Sequence, residues 1–252
     1  MIREGFVLRN SVIHRLDPRV KMVLVFVFSV LVAISNQFSV LTLALALGLF
    51  ATLLARIPLA ELIRRLVPVN LFILFLWVFL PFSVEGRPLL SIGPLVGTHE
   101  GVLYALQITV KSNAIVAMLI TLVASTSILT MGHAMHELRV PQRIVHLFFF
   151  TYRYVHVIRR EYLRLVSAMK VRGFRAGTNM HTYKSIAYLV GMLLVRSSER
   201  AERVQKAMLC RGFRGQLYSL SAFSVKKGDV VSTIVMFAFF LVLAILEWTE
   251  IA

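Results

Sequence analysis

The sequence predicts an all-α, polytopic membrane protein with about five transmembrane helices and two long amphipathic cytoplasmic helices. Three observations carry that reading. Apolar residues make up 58% of the 252 residues and charged residues only 16%, too little polar surface to coat a soluble globule of this size. Uninterrupted apolar runs recur at lengths near the ~20 helical residues a bilayer requires. The net charge of +16, from 28 basic and 12 acidic side chains, cannot reside in lipid, so it gathers in aqueous segments and marks topology.

The elements follow in chain order. Residues 1–21 hold five basic side chains and no small-residue cleavage pattern, which makes the first apolar run an anchor to be kept. In the lead-in His14-Arg15-Leu16-Asp17-Pro18-Arg19-Val20-Lys21, Asp17 is a candidate helix N-cap before Pro18. Spans are expected at about 20–36 and 38–54, with Ser35, Asn36 and Gln37 forming a tight helical hairpin. A third, short span covers 68–82 and is interrupted near its end by Pro81. Gly86, Pro88, Gly93, Pro94 and Gly97 then punctuate a loop. A fourth span is expected at about 104–131, with Lys111 placed to snorkel to the outer interface. The C-terminal span lies in 229–252, where Trp248 suits an interfacial belt. Residues 1–131 thus form a membrane region of four spans, and residues 132–228 stand apart from it.

Lys and Arg number five in 1–21, none in 35–37, three in 55–67, one in 83–100 and eighteen in 132–228. High and low counts alternate, so the positive-inside rule places the N-terminus and 132–228 in the cytoplasm and the C-terminus outside. Within that basic block the apolar stretches are interrupted by Arg153 or too short to cross. They predict two amphipathic helices, about 141–172 and 183–211, each roughly 45 Å long. On the second, Ile186, Val190, Leu193, Ser197, Ala201, Val204 and Met208 fall at three-four spacing and form an apolar stripe that must pack against something. Its other face sets Glu199 before Arg203 and Glu202 before Lys206 at four-residue spacing, a solvated arrangement.

Ala168-Met169-Lys170-Val171-Arg172-Gly173-Phe174-Arg175 recurs 39 residues later as Ala207-Met208-Leu209-Cys210-Arg211-Gly212-Phe213-Arg214, six of eight positions being identical. Helix capping accounts for the Gly and the following Phe, with cations favoured at the negative end of the helix dipole. It does not ask for the same small Ala and the same two Arg at both ends. Two equivalent basic knobs suit a partner present in two copies.

These paired Ala-x-x-x-Arg-Gly signatures resemble the transmembrane T component of energy-coupling-factor transporters, and the resemblance covers the whole chain, lead-in included. It implies a cell inner-membrane importer subunit in which Ala168, Arg172, Gly173 and Ala207, Arg211, Gly212 dock on two ABC-type ATPase subunits. The arginines would be the charged pegs, the alanines the close-approach surfaces and the glycines the turns that aim them. A small membrane substrate-binding subunit would meet the stripe through Val190, Leu193 and Val204, and an accessory small membrane subunit is a further candidate partner. Residues 194–204, Leu-Val-Arg-Ser-Ser-Glu-Arg-Ala-Glu-Arg-Val, are similar to the cobalt and nickel group. A vitamin-type T component is the alternative within the family.

Other chemistry finds little footing. No Gly-Lys dipeptide exists to end a phosphate-binding loop, so no ATP hydrolysis is expected in this chain, nor any cofactor. The lone Cys210 excludes an internal disulfide. His133 and His136 with Glu137 could hold a divalent ion, but no further carboxylate or Cys lies nearby in sequence, and no metal site is assigned. The scattered carboxylates make no catalytic set. A basic membrane-anchored scaffold binding anionic lipid or nucleic acid remains the alternative of another class. Contact with membrane lipid is expected in any case, contact with nucleic acid is not.

Overall fold

A computed structural model of the chain describes residues 16–92, 95–123, 125–215 and 227–251. Among them the fold is helical: α1 (Pro18–Ile34), α2 (Phe38–Leu54), α3 (Leu59–Ser83), α4 (His99–Leu122), α5 (Ile128–Glu137), α6 (Gln142–Val171), α7 (Met180–Cys210) and α8 (Lys227–Ile251). One antiparallel hairpin, β1 (Pro88–Ile92) with β2 (Leu95–Thr98), joins α3 to α4. The chain divides into two compact units, one of residues 1–131 with 223–252 and one of residues 132–222.

The first unit is a membrane bundle. Asp17 caps α1 by accepting the Arg19 amide at 2.9 Å, with Pro18 at the first position, as the lead-in foretold. Along α2, Val40, Leu41, Ala44, Gly48, Ala51 and Thr52 are buried on one face, and small residues there let helix backbones approach. A Cβ on Gly48 would sit 3.2 Å from the Ala114 carbonyl oxygen of α4. The core closes around Phe28, Leu41, Met118 and Leu122, with Phe240 of α8 set 5.4 Å, ring to ring, from Phe28. Asn70 of α3 and Asn113 of α4 exchange amide hydrogen bonds at 3.0 Å in both directions, tying the two helices by polar contacts. The outward apolar side chains of α3, such as Phe72, Leu74 and Phe75, are exposed. Of the described helices, α3 and α4 are long and apolar enough to cross a membrane, and α2 and residues 233–247 of α8 are shorter apolar helices.

Three departures from the expected elements have physical causes. The third span, expected at 68–82, is a helix from Leu59 that runs through Pro68, because a membrane helix tolerates proline where neighbouring groups satisfy the freed backbone. The fourth, expected unbroken over 104–131, stops at Leu122 and resumes as α5 at Ile128. The reason is a run of hydroxyls: Ser125 and Thr126 both bond back to the Leu122 carbonyl, and Ser127 receives the Thr130 amide, in competition with the helical ladder. The Lys21 amine, on a residue only 2% exposed, donates to Ser125 and Thr126 at 3.3 and 3.4 Å. Finally, the loop expected over 83–100 contains the β1–β2 hairpin, pinned by the Thr98 hydroxyl donating to the Val84 carbonyl at 2.7 Å.

Polar groups gather near the other end of α1. The Lys111 amine donates to the Ala33 carbonyl and to Asn36 Oδ1 at 3.2 and 3.1 Å. Gln107 donates to the Asn36 carbonyl. Glu247 of α8 accepts from the Ser35 hydroxyl and the Asn36 amide. The α1–α2 turn, residues 107–111 of α4 and Glu247 near the end of α8 therefore share one level of the bundle.

Candidate functional site

The second unit is dominated by α6 and α7, 30 and 31 residues long. Their packing is antiparallel: the Phe213 ring just beyond α7 lies 6.3 Å from His146 near the start of α6, and Arg196 of α7 pairs with Glu161 of α6. Residues 172–179 turn the chain between them, and the Gly177 amide donates to the buried Thr182 hydroxyl. The repeated signature is carried at both C-termini, which antiparallel packing sends to opposite ends of a pair whose helices are each about 45 Å long.

Both ends are built identically. The Gly173 amide bonds the Lys170 carbonyl and the Phe174 amide the Met169 carbonyl, each at 3.0 Å; the Gly212 amide bonds Leu209 and the Phe213 amide Met208, at 2.9 and 3.0 Å. This double closure is the Schellman motif, with Gly at φ of 80° and 78°. Phe174, Phe213, Met169 and Met208 are half-buried, whereas Ala168, Arg172, Gly173, Ala207, Arg211 and Gly212 are exposed. Each turn therefore tucks its apolar pair inward and presents Ala, Arg and Gly outward. The guanidinium groups of Arg172 and Arg211 make no ion pair among the described residues.

The same chain ends α2 and α5 with the same closure but with arginine in the left-handed position, Arg56 at φ of 54° and Arg139 at 61°. A cap here does not require glycine, although a side chain at such φ is strained. At Gly173 and Gly212 an added Cβ would meet nothing within 4 Å. The missing side chains leave bare backbone on an open surface.

Of the stripe residues, Leu193, Ser197, Val204 and Met208 are half-buried, and Leu189 is 8% exposed. Val190 is 48% exposed and Ile186 is exposed too, so the packed line in the first half of α7 runs one residue earlier, through Thr182 and Leu189. Adjacent apolar residues at 189 and 190 made either line readable from sequence. Between the helices lies a groove of about 750 Å³, lined from α6 by Phe150, Tyr154 and Ile158 and from α7 by Ala201, Val204 and Met208.

Sequence reasoning passed over Glu161, whose carboxylate pairs with Arg196 and lies 3.7 Å from Arg164. The signal was present, since Glu161 is the sole acid on α6 among six basic residues. Its carboxyl is held below the ordinary range, first by the Arg196 hydrogen bond and then by the charges of Arg196, Arg164 and Arg200, against an opposing effect of burial. The His133 ring packs against Phe149 at a tilt of 50° with ring centres 5.2 Å apart, and among the described residues no three His, Cys, Asp or Glu side chains gather as a metal site would need.

A family model described as cobalt transport protein, CbiQ, matches residues 9–220. The energy-coupling factor transporter transmembrane protein EcfT of Thermosediminibacter oceani is 28% identical over 229 residues, covering 82% of each chain. That of Listeria innocua is 28% identical over 228 residues, 85% of each chain. That of Acidaminococcus fermentans is 28% identical over 262 aligned residues, covering 95% of this chain and 94% of its own.

Proposed function

The chain belongs to the CbiQ family of cobalt transport proteins, and we propose that it is the membrane-spanning coupling subunit of an ATP-driven energy-coupling-factor importer for cobalt or nickel. ATP hydrolysis falls to two separate ABC-type ATPases, each gripping one Arg-Gly end. The observation that carries this is the pair of identical Schellman turns, exposing Arg172 and Arg211 with bare glycine beside them at opposite ends of one antiparallel helix pair. A single partner face has no use for two such ends; a pair of ATPases has. Val190, exposed on α7, Leu193, half-buried, and Val204, which lines the groove, are the proposed contacts of the small substrate-binding subunit, with an accessory small membrane subunit completing the assembly. The family description and the similarity of residues 194–204 to the metal group favour metal over a vitamin as the cargo.

The topology belongs to the same proposal: five crossings of the cell inner membrane, with the N-terminus and 132–228 cytoplasmic and 1–131 and 229–252 forming the membrane region. Supporting it are the polar groups at the two ends of α1, Lys21 with Ser125 and Thr126 at one and Asn36 with Lys111 and Glu247 at the other. Lys21 and Asn36 lie 15 residues apart, roughly 22 Å along a helix, against a hydrocarbon thickness of about 30 Å that the long Lys21 stem helps to reach. A cysteine placed at Thr178 should resist impermeant labelling from outside intact cells; labelling there defeats the topology.

The functional test is copurification of the tagged chain with its partners, together with labelled cobalt and nickel uptake. Two ATPase copies should accompany the wild-type chain, and Arg172→Glu with Arg211→Glu should lose them while the protein remains inserted. ATPase copurification unchanged in the double variant overturns the docking reading. Copurification of lipid or nucleic acid alone supports the basic scaffold in its place.

A further inference from the structure

Between Glu137 and Glu199 the chain has one acid, Glu161, against eleven basic residues. Its side chain is 14% exposed and lies between the two long helices, with one oxygen on Arg196 of α7 and the other 3.7 Å from Arg164 of its own helix. Among the described residues it makes the one ion pair that joins α6 to α7; Glu199 and Glu202 both pair within α7. The repeat gives the position further meaning. The 39-residue offset that aligns the two signatures also aligns Arg164 with Arg203 and Glu161 with Arg200. Where two like helices cross antiparallel, corresponding positions near the crossing face one another, and equal charges there would repel. Here the copies differ, acid on α6 and base on α7, and the Arg200 charge is among those that stabilise ionised Glu161.

Position along the helices makes the tie consequential. Glu161 precedes Arg172 by eleven residues and Arg196 precedes Arg211 by fifteen, arms of roughly 16 and 22 Å. A scissoring of about 10° around the tie would move the longer arm's end by about 4 Å, enough to break hydrogen-bond and ion-pair geometry at a docking surface. Apolar packing alone resists such rotation weakly here, because α6 buries only Val145 and α7 only Thr182 and Leu189, and a groove of about 750 Å³ separates α6 from the second half of α7.

We propose that Glu161 is a positioning residue, whose pairing with Arg196 fixes the crossing of α6 and α7 and so holds the two Arg-Gly ends at the separation that productive coupling needs. The clause about coupling rests on the function proposed above; the geometric claim does not. The two are tested separately. Val171 and Cys210 are equivalent positions in the repeat, both exposed, so Val171→Cys yields two spin-label sites at the two ends of the pair in the full-length chain. Pulsed electron resonance should show the distance distribution between them at least doubling in width with Glu161→Gln, which preserves volume and removes charge. Glu161→Arg alone should broaden it more, and Glu161→Arg with Arg196→Glu should recover at least half of the lost sharpness. A distribution of unchanged width and mean in Glu161→Gln overturns the positioning role, and so does failure of the charge swap to recover any sharpness. In vesicles holding the assembled transporter, Glu161→Gln should lower metal moved per ATP hydrolysed at least five-fold with ATPase copurification unchanged. A broadened distribution with an unaltered ratio overturns the link to coupling while the geometric claim stands. A wild-type chain that recruits no ATPase defeats the proposed function itself and leaves the label measurement valid.

Discussion

In the membrane unit α2 buries six of its 17 residues along one face, while α6, with 30 residues, buries one. The first arrangement excludes voids by setting small residues against backbone, as Gly48 does against Ala114, and interiors packed this way transmit force with little deformation. The second leaves a groove between helices joined by an ion pair, the His146–Phe213 and Phe174–His181 ring contacts and one short turn. Elements with few buried contacts are those that open and move at low cost. A machine that turns motion in one place into motion in another needs both: a frame that stays fixed and arms that swing. On the coupling role proposed above, the membrane unit would be the frame and the long helix pair the arms.

Four changes test that contrast, beginning with the largest effect. Arg172→Glu with Arg211→Glu should reduce metal uptake by about 100-fold or more, since reversing a charge at a desolvated contact costs several kcal/mol at each end. The thermal midpoint should move by only a few degrees, because losing the favourable cation at each helix C-terminus costs about 0.3–1 kcal/mol. A large fall in midpoint would mean the arginines hold the arms together, and the contrast between frame and arms would fail. Next, Phe28→Ala removes a fully buried ring that packs on Phe240 and should cost about 3–5 kcal/mol in unfolding measured in detergent. Tyr154→Ala, at the half-open groove, should cost under half of that.

What could be read from sequence follows the range of the forces involved. The ends of α6 and α7 and their glycine turns were legible, because capping depends on residues within one turn of each other. The contrast between apolar and basic segments is likewise a local sum of hydrophobicity and charge. The break after Leu122 was written in Ser125-Thr126-Ser127, yet the apolar run on either side masked it. The start of α3 was misplaced because Arg64 and Arg65 looked like loop charge, although long stems let arginines sit on a helix at the membrane boundary. Which face of α7 packs, and that Glu161 finds Arg196 35 residues away, are facts of tertiary geometry to which periodicity is blind. The exposed character of Ala168 and Ala207 was likewise invisible to pattern alone.

The third change separates capping from docking within the second unit. Gly173→Asn and Gly212→Asn keep a residue that accepts the left-handed conformation and project a side chain into space that holds nothing within 4 Å. The midpoint should shift by less than about 1 kcal/mol equivalent, while ATPase affinity falls by roughly ten-fold, about 1.4 kcal/mol. Gly132→Ala provides the converse. Its Cβ would fall 2.6 Å from the Phe149 ring, so the fold should lose about 1–3 kcal/mol through overpacking, with the docking ends untouched. If the two glycine classes behave alike in a binding assay and a melt, the distinction between bare surface and packed contact is wrong.

The smallest effect concerns pH and sharpens the account of what holds the arms. Glu161 has a folded pKa lowered from the ordinary 4.5, chiefly by the Arg196 hydrogen bond. A lowered folded value means the unfolded chain takes up the proton first as pH falls. The stabilising contribution is therefore complete above the ordinary value and disappears as pH drops through the lowered one. Comparing wild type with Glu161→Gln cancels the titration of every other acid. The gap between their thermal midpoints should be constant from about pH 8 to pH 5.5 and should shrink progressively below about pH 4.5, where the wild-type carboxyl becomes as neutral as the amide. Added salt at pH 7 should narrow the same gap, more weakly than acid does, because the carboxylate is largely covered and screening acts best on exposed charge. A gap that ignores both acid and salt would show that volume and packing, not charge, tie α6 to α7, and the arms would then differ from the membrane frame in degree of burial alone.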